Sequence, residues 1–315
     1  MPSSPTGLPT GLTVDRADVT LAVRDHGGSG VPLLLVHGAT RTLADWSEIA
    51  GELVADHRVF SMDLRAHGRS GRGAEPWTIA AALGDIEAVL DACGVPEAVL
   101  VGHSLGGMLA ALYADAHPRT PGAVNLDGFG LGRPEQYAGL DPRTVAEGLD
   151  RARQFARAAA GRVFPPEGLE SVRAQAAAMA AGLGFAPELL EEGMRRSLGE
   201  TGDGQFFLRP ERERAVEMLE AMDELDMFPV YRRLTRPMLI VRGTRLVDQG
   251  PELAWFDELM AAYMKGLEAG LGKLAAEHPR ISVRTVDASH AMLLERPRAL
   301  AELVRSFTTG LDLCS

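Results

Sequence analysis

The sequence predicts a three-layer α/β fold built on a parallel sheet, on three observations. Short apolar runs of strand length alternate with segments of helical spacing along most of the 315 residues, the pattern expected of buried parallel strands joined by crossover helices. One run, Ala98-Val-Leu-Val101, passes through Gly102-His103-Ser104-Leu105-Gly106 straight into an apolar helical stretch, which reads as strand, sharp turn, helix. Hydrophobic content of 46% and charged content of 24% are those of a globular chain able to bury a full core.

Taken in order, Met1 to Thr10 is a leader rich in Pro, Gly and Ser, expected to be mobile. Val19 to Arg24 alternates as a strand and His26-Gly-Gly-Ser-Gly30 is turn chemistry, so the fold is expected to begin with a hairpin. Val31 to Val36 is a buried strand ending in His37-Gly38-Ala39-Thr40, and Leu43 to Val54 has helical spacing. Arg58 to Asp63 is the next strand, followed by the charged, glycine-bearing loop Leu64 to Ser70 and a helix from Ile79 to Ala92 that stops at Gly94-Val-Pro96. After the serine turn come the strand Ala123 to Asp127 and then Gly128-Phe-Gly130.

From about Leu131 to Leu234 the apolar strand runs vanish. Helical patterns replace them at Thr144 to Ala160, Leu169 to Ala181, Pro187 to Ser197 and Glu211 to Leu225, separated by Gly and Pro. This divides the chain into a core, residues 1–130 and 235–315, and an inserted helical lid, residues 131–234. Phe155, Phe206 and Met194 are the lid's candidates for substrate contact, although a thin helical layer also needs apolar filling of its own. The sheet resumes at Pro237 to Val241, a long helical segment runs from Pro251 to Ala276, the last strand is Ile281 to Val286, and a helix from Pro297 to Leu311 closes the chain.

A net charge of −11 argues against a nucleic-acid or anionic-membrane surface. The leader lacks the basic residues and apolar core of a signal peptide and no run approaches a membrane span, so the chain is expected to be cytoplasmic. Cys93 and Cys314 are too few for a disulfide scaffold and belong to no metal-ligand spacing. No metal and no cofactor is expected.

Chemistry enters at strand ends. Gly102 and Gly106 flank Ser104 where side chains would collide with a tight turn, so the hydroxyl is pushed out above the sheet. Asp127 and His290, in Asp287-Ala-Ser-His290, also follow strands, on the same sheet edge. Serine is a poor nucleophile until an imidazole accepts its proton, and that imidazole needs a carboxylate to fix its tautomer. Of the eight histidines, His290 is the candidate base. His37 and His103 flank backbone features of the site, His67 lies in a loop, and His26, His57, His117 and His278 read as surface or turn residues. The backbone N–H of Ala39, in a strand-end loop, is a candidate oxyanion donor.

Leu-Leu-Val-His37-Gly38, Asp63-Leu-Arg-Ala-His-Gly-Arg-Ser70, Gly102-His-Ser104-Leu-Gly106-Gly and Ser289-His290-Ala-Met-Leu-Leu-Glu-Arg-Pro297 together resemble the α/β-hydrolase superfamily. The resemblance implies an eight-stranded, mostly parallel sheet with the lid inserted after strand 6, a Ser104 nucleophile, a His290 base, and an oxyanion hole from the N–H groups of Leu105 and Ala39. Many members carry their acid after the strand matching Pro237–Val241 as Gly-x-x-Asp. Here Gly243-Thr-Arg-Leu246 puts leucine there, leaving Asp127 preferred and Asp248 as the alternative, which could instead cap a helix near Pro251 or pair with Arg245. Zearalenone-type lactone hydrolases resemble the chain in this layout. The expected activity is hydrolysis of a carboxylic ester or lactone of an apolar small molecule. Its rivals are thioester cleavage or acyl transfer, carbon–carbon bond hydrolysis, and a ligand-binding receptor without turnover. Epoxide hydrolysis and dehalogenation usually require a carboxylate where Ser104 stands.

Overall fold

The computed structural model describes residues 10–311; nearly all of the leader and Cys314 lie outside them. The chain runs β1 (Thr10–Arg16), β2 (Val19–Gly27), β3 (Val31–Val36), α1 (Ser47–Leu53), β4 (His57–Met62), α2 (Ile79–Ala92), β5 (Val99–His103), α3 (Leu105–Ala116) and β6 (Ala123–Leu126). An insertion follows: α4 (Pro142–Ala159), β7 (Val163–Phe164), α5 (Gly168–Leu183), α6 (Glu188–Ser197), β8 (Leu198–Glu200), β9 (Phe206–Leu208), α7 (Arg212–Asp223) and α8 (Met227–Arg233). The chain then completes β10 (Met238–Gly243), α9 (Ala254–Glu277), β11 (Ile281–Val286), α10 (Met292–Glu295) and α11 (Pro297–Thr309).

Eight strands form one sheet in the order β1-β2-β4-β3-β5-β6-β10-β11. From β4 to β11 all neighbours are parallel, while β1 with β2 and β2 with β4 pair antiparallel. Leu33 to Val36 and Val99 to Val101 are fully buried because helices cover both faces. One core layer joins Leu34, Leu100 and Ile240 to α2, α3 and α9; the other joins Leu35, Val101 and Val241 to α1 and α11 through Ile49, Leu53, Leu300 and Val304. Parallel register brings the C-terminal ends of β3, β5, β6, β10 and β11 to one edge, pairing Val36 with Gly102, His103 with Leu126 and Gly243 with Val286. Loops at such an edge are where open α/β sheets place ligands.

Three expectations need correction. The opening hairpin is formed by β1 and β2 around residues 17–18, whereas His26 to Gly30 links strands that are not neighbours, since β4 lies between β2 and β3. His57 is no surface residue: it is 3% exposed, and its ring bonds Asp56 and Thr308. The insertion also carries strands. β7, β9 and β8 pair antiparallel into a small sheet, each of two or three residues, too short to leave a period in the sequence.

Polar contacts fasten the insertion to the core. Arg196, at the end of α6, pairs with the buried Asp63 carboxylate after β4, and Glu217 of α7 accepts from the Trp77 N–H at 2.8 Å. Beneath them Arg65 and Asp85 form a buried bidentate pair at 2.6 and 2.8 Å. Arg16 also reaches Asp85 at 3.2 Å and Asp18 reaches Arg65 at 3.7 Å, so each charge of the pair has a second partner.

Candidate active site

Ser104 links β5 to α3 with φ 53° and ψ −120°, a strained conformation for a residue with a Cβ. The neighbouring glycines permit it. A Cβ on Gly102 would lie 1.9 Å from the Gly106 carbonyl oxygen, and one on Gly106 would lie 2.1 Å from that of Val36. The turn is thereby wedged against the end of β3.

Asp127, just past β6, is also left-handed at φ 56°. Its backbone N–H donates to the Val241 carbonyl at 2.8 Å and its Oδ1 accepts from the Gly243 N–H at 3.0 Å, so β10 holds both ends of the residue. Asn125 closes the turn from beneath: its Oδ1 accepts from the Gly128 N–H and its Nδ2 donates to the Gly128 carbonyl and to Tyr231 Oη, each at 2.7 Å. The free oxygen, Asp127 Oδ2, lies 2.8 Å from His290 Nδ1. A carboxylate in that place puts the imidazole proton on Nδ1 and leaves Nε2 to accept. Asp248 is elsewhere, exposed, with Oδ1 on the Gly250 N–H at 2.7 Å, a turn-closing bond. Arg245 does not pair with it but with Asp287 and Glu295.

The His290 loop is pinned from two sides. Glu295, whose side chain is fully buried, accepts from the Ser289 N–H at 3.1 Å and from its hydroxyl. His103 lies 4.8 Å from His290 between ring centroids and donates from Nε2 to the His290 carbonyl at 2.9 Å. Burial holds His103 well below the usual histidine range, so it stays neutral.

Two further buried imidazoles grip the loop after β3. His37 donates from Nδ1 to the Gly38 carbonyl at 2.7 Å and accepts the Leu64 N–H on Nε2 at 3.0 Å. His67 donates from Nδ1 to the Arg65 carbonyl at 2.9 Å and accepts the Thr40 N–H at 3.2 Å. Burial keeps both neutral, His37 well below its ordinary value and His67 down to about 4. Between these fixed points the Ala39 N–H has no hydrogen-bond partner among the described residues. Leu105 opens α3, where the first N–H groups of a helix have none by geometry.

Two cavities meet at Ser104 and His290, which line both. One, about 310 Å³, runs under the insertion past Phe129, Met222, Met260 and Tyr263. The other, about 340 Å³, reaches Ala39, Met179, Leu183 and Leu293. Among the described residues no hydrogen bond joins Ser104 to His290; the bond already formed is the one from His290 to Asp127.

The three lid residues expected to touch substrate do not line the two cavities at Ser104. Arg153, Ala156 and Arg157 form the stripe of α4 on the first cavity, and Phe155, off that stripe by the helical period, is 60% exposed. Phe206 packs its ring against Phe164 within the small sheet. Met194 does not line either cavity at Ser104; it lines a hollow with Leu190 and Leu198 and a neighbouring one that shares Thr40, Arg41, Asp45 and Met179 with the second cavity. Sequence reasoning missed Tyr263, Asn125 and Glu295. Of these only Glu295, inside the quoted motif after His290, carried a signal.

The model of the alpha/beta hydrolase family matches residues 33–303. Epoxide hydrolase 4 from Mus musculus is 37% identical over 95 residues, 29% of this chain, and the match spans only 26% of that protein. Lipase LipV from Mycobacterium tuberculosis is 27% identical over 290 residues, covering 91% of this chain and 97% of the lipase. Among solved structures, E-2-(acetamidomethylene)succinate hydrolase superposes with a TM-score of 0.70 at 22% identity, over 96% of this chain and 99% of that one, a likeness of fold. With the eight-stranded sheet and a match that begins in β3 and ends within α11, the chain belongs to the alpha/beta hydrolase family.

Proposed function

We propose that this hydrolase cleaves a carboxylic ester or lactone of an apolar small molecule through an acyl-enzyme on Ser104. The observation that carries the reading is the 2.8 Å contact from His290 Nδ1 to Asp127 Oδ2, at the mouth of a cavity that Ser104 also lines. His290 Nε2 takes the Ser104 proton as Oγ attacks the scissile carbonyl, then returns it to the departing alkoxide; Asp127 holds the tautomer and steadies the imidazolium. The N–H groups of Ala39 and Leu105 receive the oxyanion. In the second half His290 activates water and Ser104 leaves as the acid is released. For a lactone, alcohol and acid remain one molecule, a macrolactone such as zearalenone being one candidate.

The insertion serves in this reading as the lid, residues 131–234 over a core of 1–130 and 235–315. The lipase name of the relative that spans the chain supports ester chemistry, and a serine rather than a carboxylate at position 104 disfavours epoxide opening. Ser104→Ala is expected to lower kcat for a chromogenic ester by about 10⁴-fold or more while the melting temperature holds, since the lost hydroxyl leaves no large cavity. Near-normal turnover by folded Ser104→Ala protein would remove the assignment.

A further inference from the structure

In the cavity of about 310 Å³ beside Ser104, the polar side chains from the surrounding elements are nearly all engaged. Asp127 is paired with His290, Arg153 with Asp223 and Arg157 with Glu220 across α4 and α7, and Arg245 with Glu295. Apart from Ser104, the exception is Tyr263 of α9. It is 3% exposed, it lines the cavity, and its hydroxyl has no hydrogen-bond partner among the described residues. The two other buried tyrosines of this region are satisfied, Tyr137 donating to the Leu131 carbonyl at 2.6 Å and Tyr231 bonded to Asn125.

The Tyr263 ring is fixed in place. It lies 5.0 Å from the Tyr137 ring and flat enough on Gly132 that a Cβ there would come within 2.6 Å of its edge. Gly132, at φ +66°, supplies both the left-handed turn and the room. Burial, and after it the neighbouring Tyr137 and Tyr231, push the phenol well above its ordinary value, so it remains a neutral donor at every working pH. The ring is buried while the hydroxyl is not among the closed-off unpaired polar atoms of the described residues, and a fixed donor open to an apolar cavity awaits a matching group.

We propose that Tyr263 is a specificity-determining residue that donates a hydrogen bond to a neutral oxygen, a ketone or hydroxyl, carried by the apolar part of the substrate away from the scissile carbonyl. The substrate class is thus an oxygenated ester or lactone rather than a plain fatty ester, a claim that rests on the ester-hydrolase reading above. A site built to bond an oxygen rejects the analogue lacking it more strongly than an apolar pocket rejects an extra group.

Tyr263→Phe removes one oxygen and keeps the ring. The test compares wild-type and Tyr263→Phe protein on methyl decanoate and on methyl 4-, 6- and 8-oxodecanoate. At least one keto ester is expected to lose about 10- to 100-fold in kcat/KM while methyl decanoate stays within about threefold. Equal losses on all four, or no loss on any, would overturn the proposal. The same four esters are titrated calorimetrically into Ser104→Ala and Ser104→Ala/Tyr263→Phe proteins, where the loss of affinity should again be confined to a keto ester; uniform change or none counts against Tyr263. This arm reads the hydroxyl without turnover, so a wild-type protein inert toward every ester refutes the hydrolase reading and leaves the Tyr263 result standing by itself.

Discussion

At the scale of single residues, the arrangement turns on which carboxylate serves His290. Asp127 is held at three atoms by β10 and His290, whereas Asp248 closes a surface turn. A group that fixes a tautomer must not move. Asp127→Asn keeps the size and loses the charge, and kcat should fall by about 10⁴-fold, the cost of the same change in a serine-protease triad. Asp248→Asn should cost less than about tenfold. Assaying both on one ester is decisive, because a collapse confined to Asp248→Asn reverses the assignment. That Ser104, Asp127 and His290 would meet at one sheet edge was legible in the sequence, because each follows a strand that the apolar runs mark plainly. Tyr263 was not. It lies within a long helix, and nothing local distinguishes a tyrosine facing a cavity from one filling the core.

At the scale of elements, long helices were legible to within a few residues: the helix expected at Ile79 to Ala92 has those bounds, and Leu169 to Ala181 lies within α5. What failed was the choice of face. Two turns of α4 offer Arg153, Ala156, Arg157 and Phe155 as neighbours, and only the position of the core tells which stripe turns inward; large apolar residues were favoured, yet Phe155 faces solvent. The lining of the cavity by α7 gives the sharper prediction. Met222→Ala enlarges the cavity of about 310 Å³ and should raise kcat/KM for bulky relative to small esters by several-fold, about 1 kcal/mol of differential binding. Phe155→Ala should leave that ratio within about twofold. Equal ratios in wild type and Met222→Ala would place the substrate outside this cavity.

At the scale of the whole molecule, the histidines give the fold a dependence on pH. Burial pushes His26 and His67 down to about 4, and His37 and His103 well below their ordinary value of 6.5. As pH falls through 6.5 the unfolded chain binds protons at these four sites while the native chain refuses them. Stability is therefore full above the unfolded value and declines with acidification. Between pH 6.5 and 5, His26 and His67 each remove about 1–2 kcal/mol. The depressed carboxylates Asp18, Asp25, Asp56 and Glu192 act with the same sign but only below the ordinary carboxylate range, near pH 4.5, while Asp45 and Asp223, raised by burial, act with the opposite sign. Urea midpoints at constant ionic strength should drop steadily from pH 7 to 5, because only the unfolded chain takes up these protons, while the folded chain keeps His37 and His67 neutral as acceptors of the Leu64 and Thr40 N–H groups that brace Ala39. In a His67→Gln protein, whose side chain can accept the Thr40 N–H at any pH, the slope should flatten by about one proton. A slope unchanged in that variant, or a wild-type midpoint level across the window, would mean that these imidazoles do not charge on unfolding and that the loop after β3 is braced by other contacts.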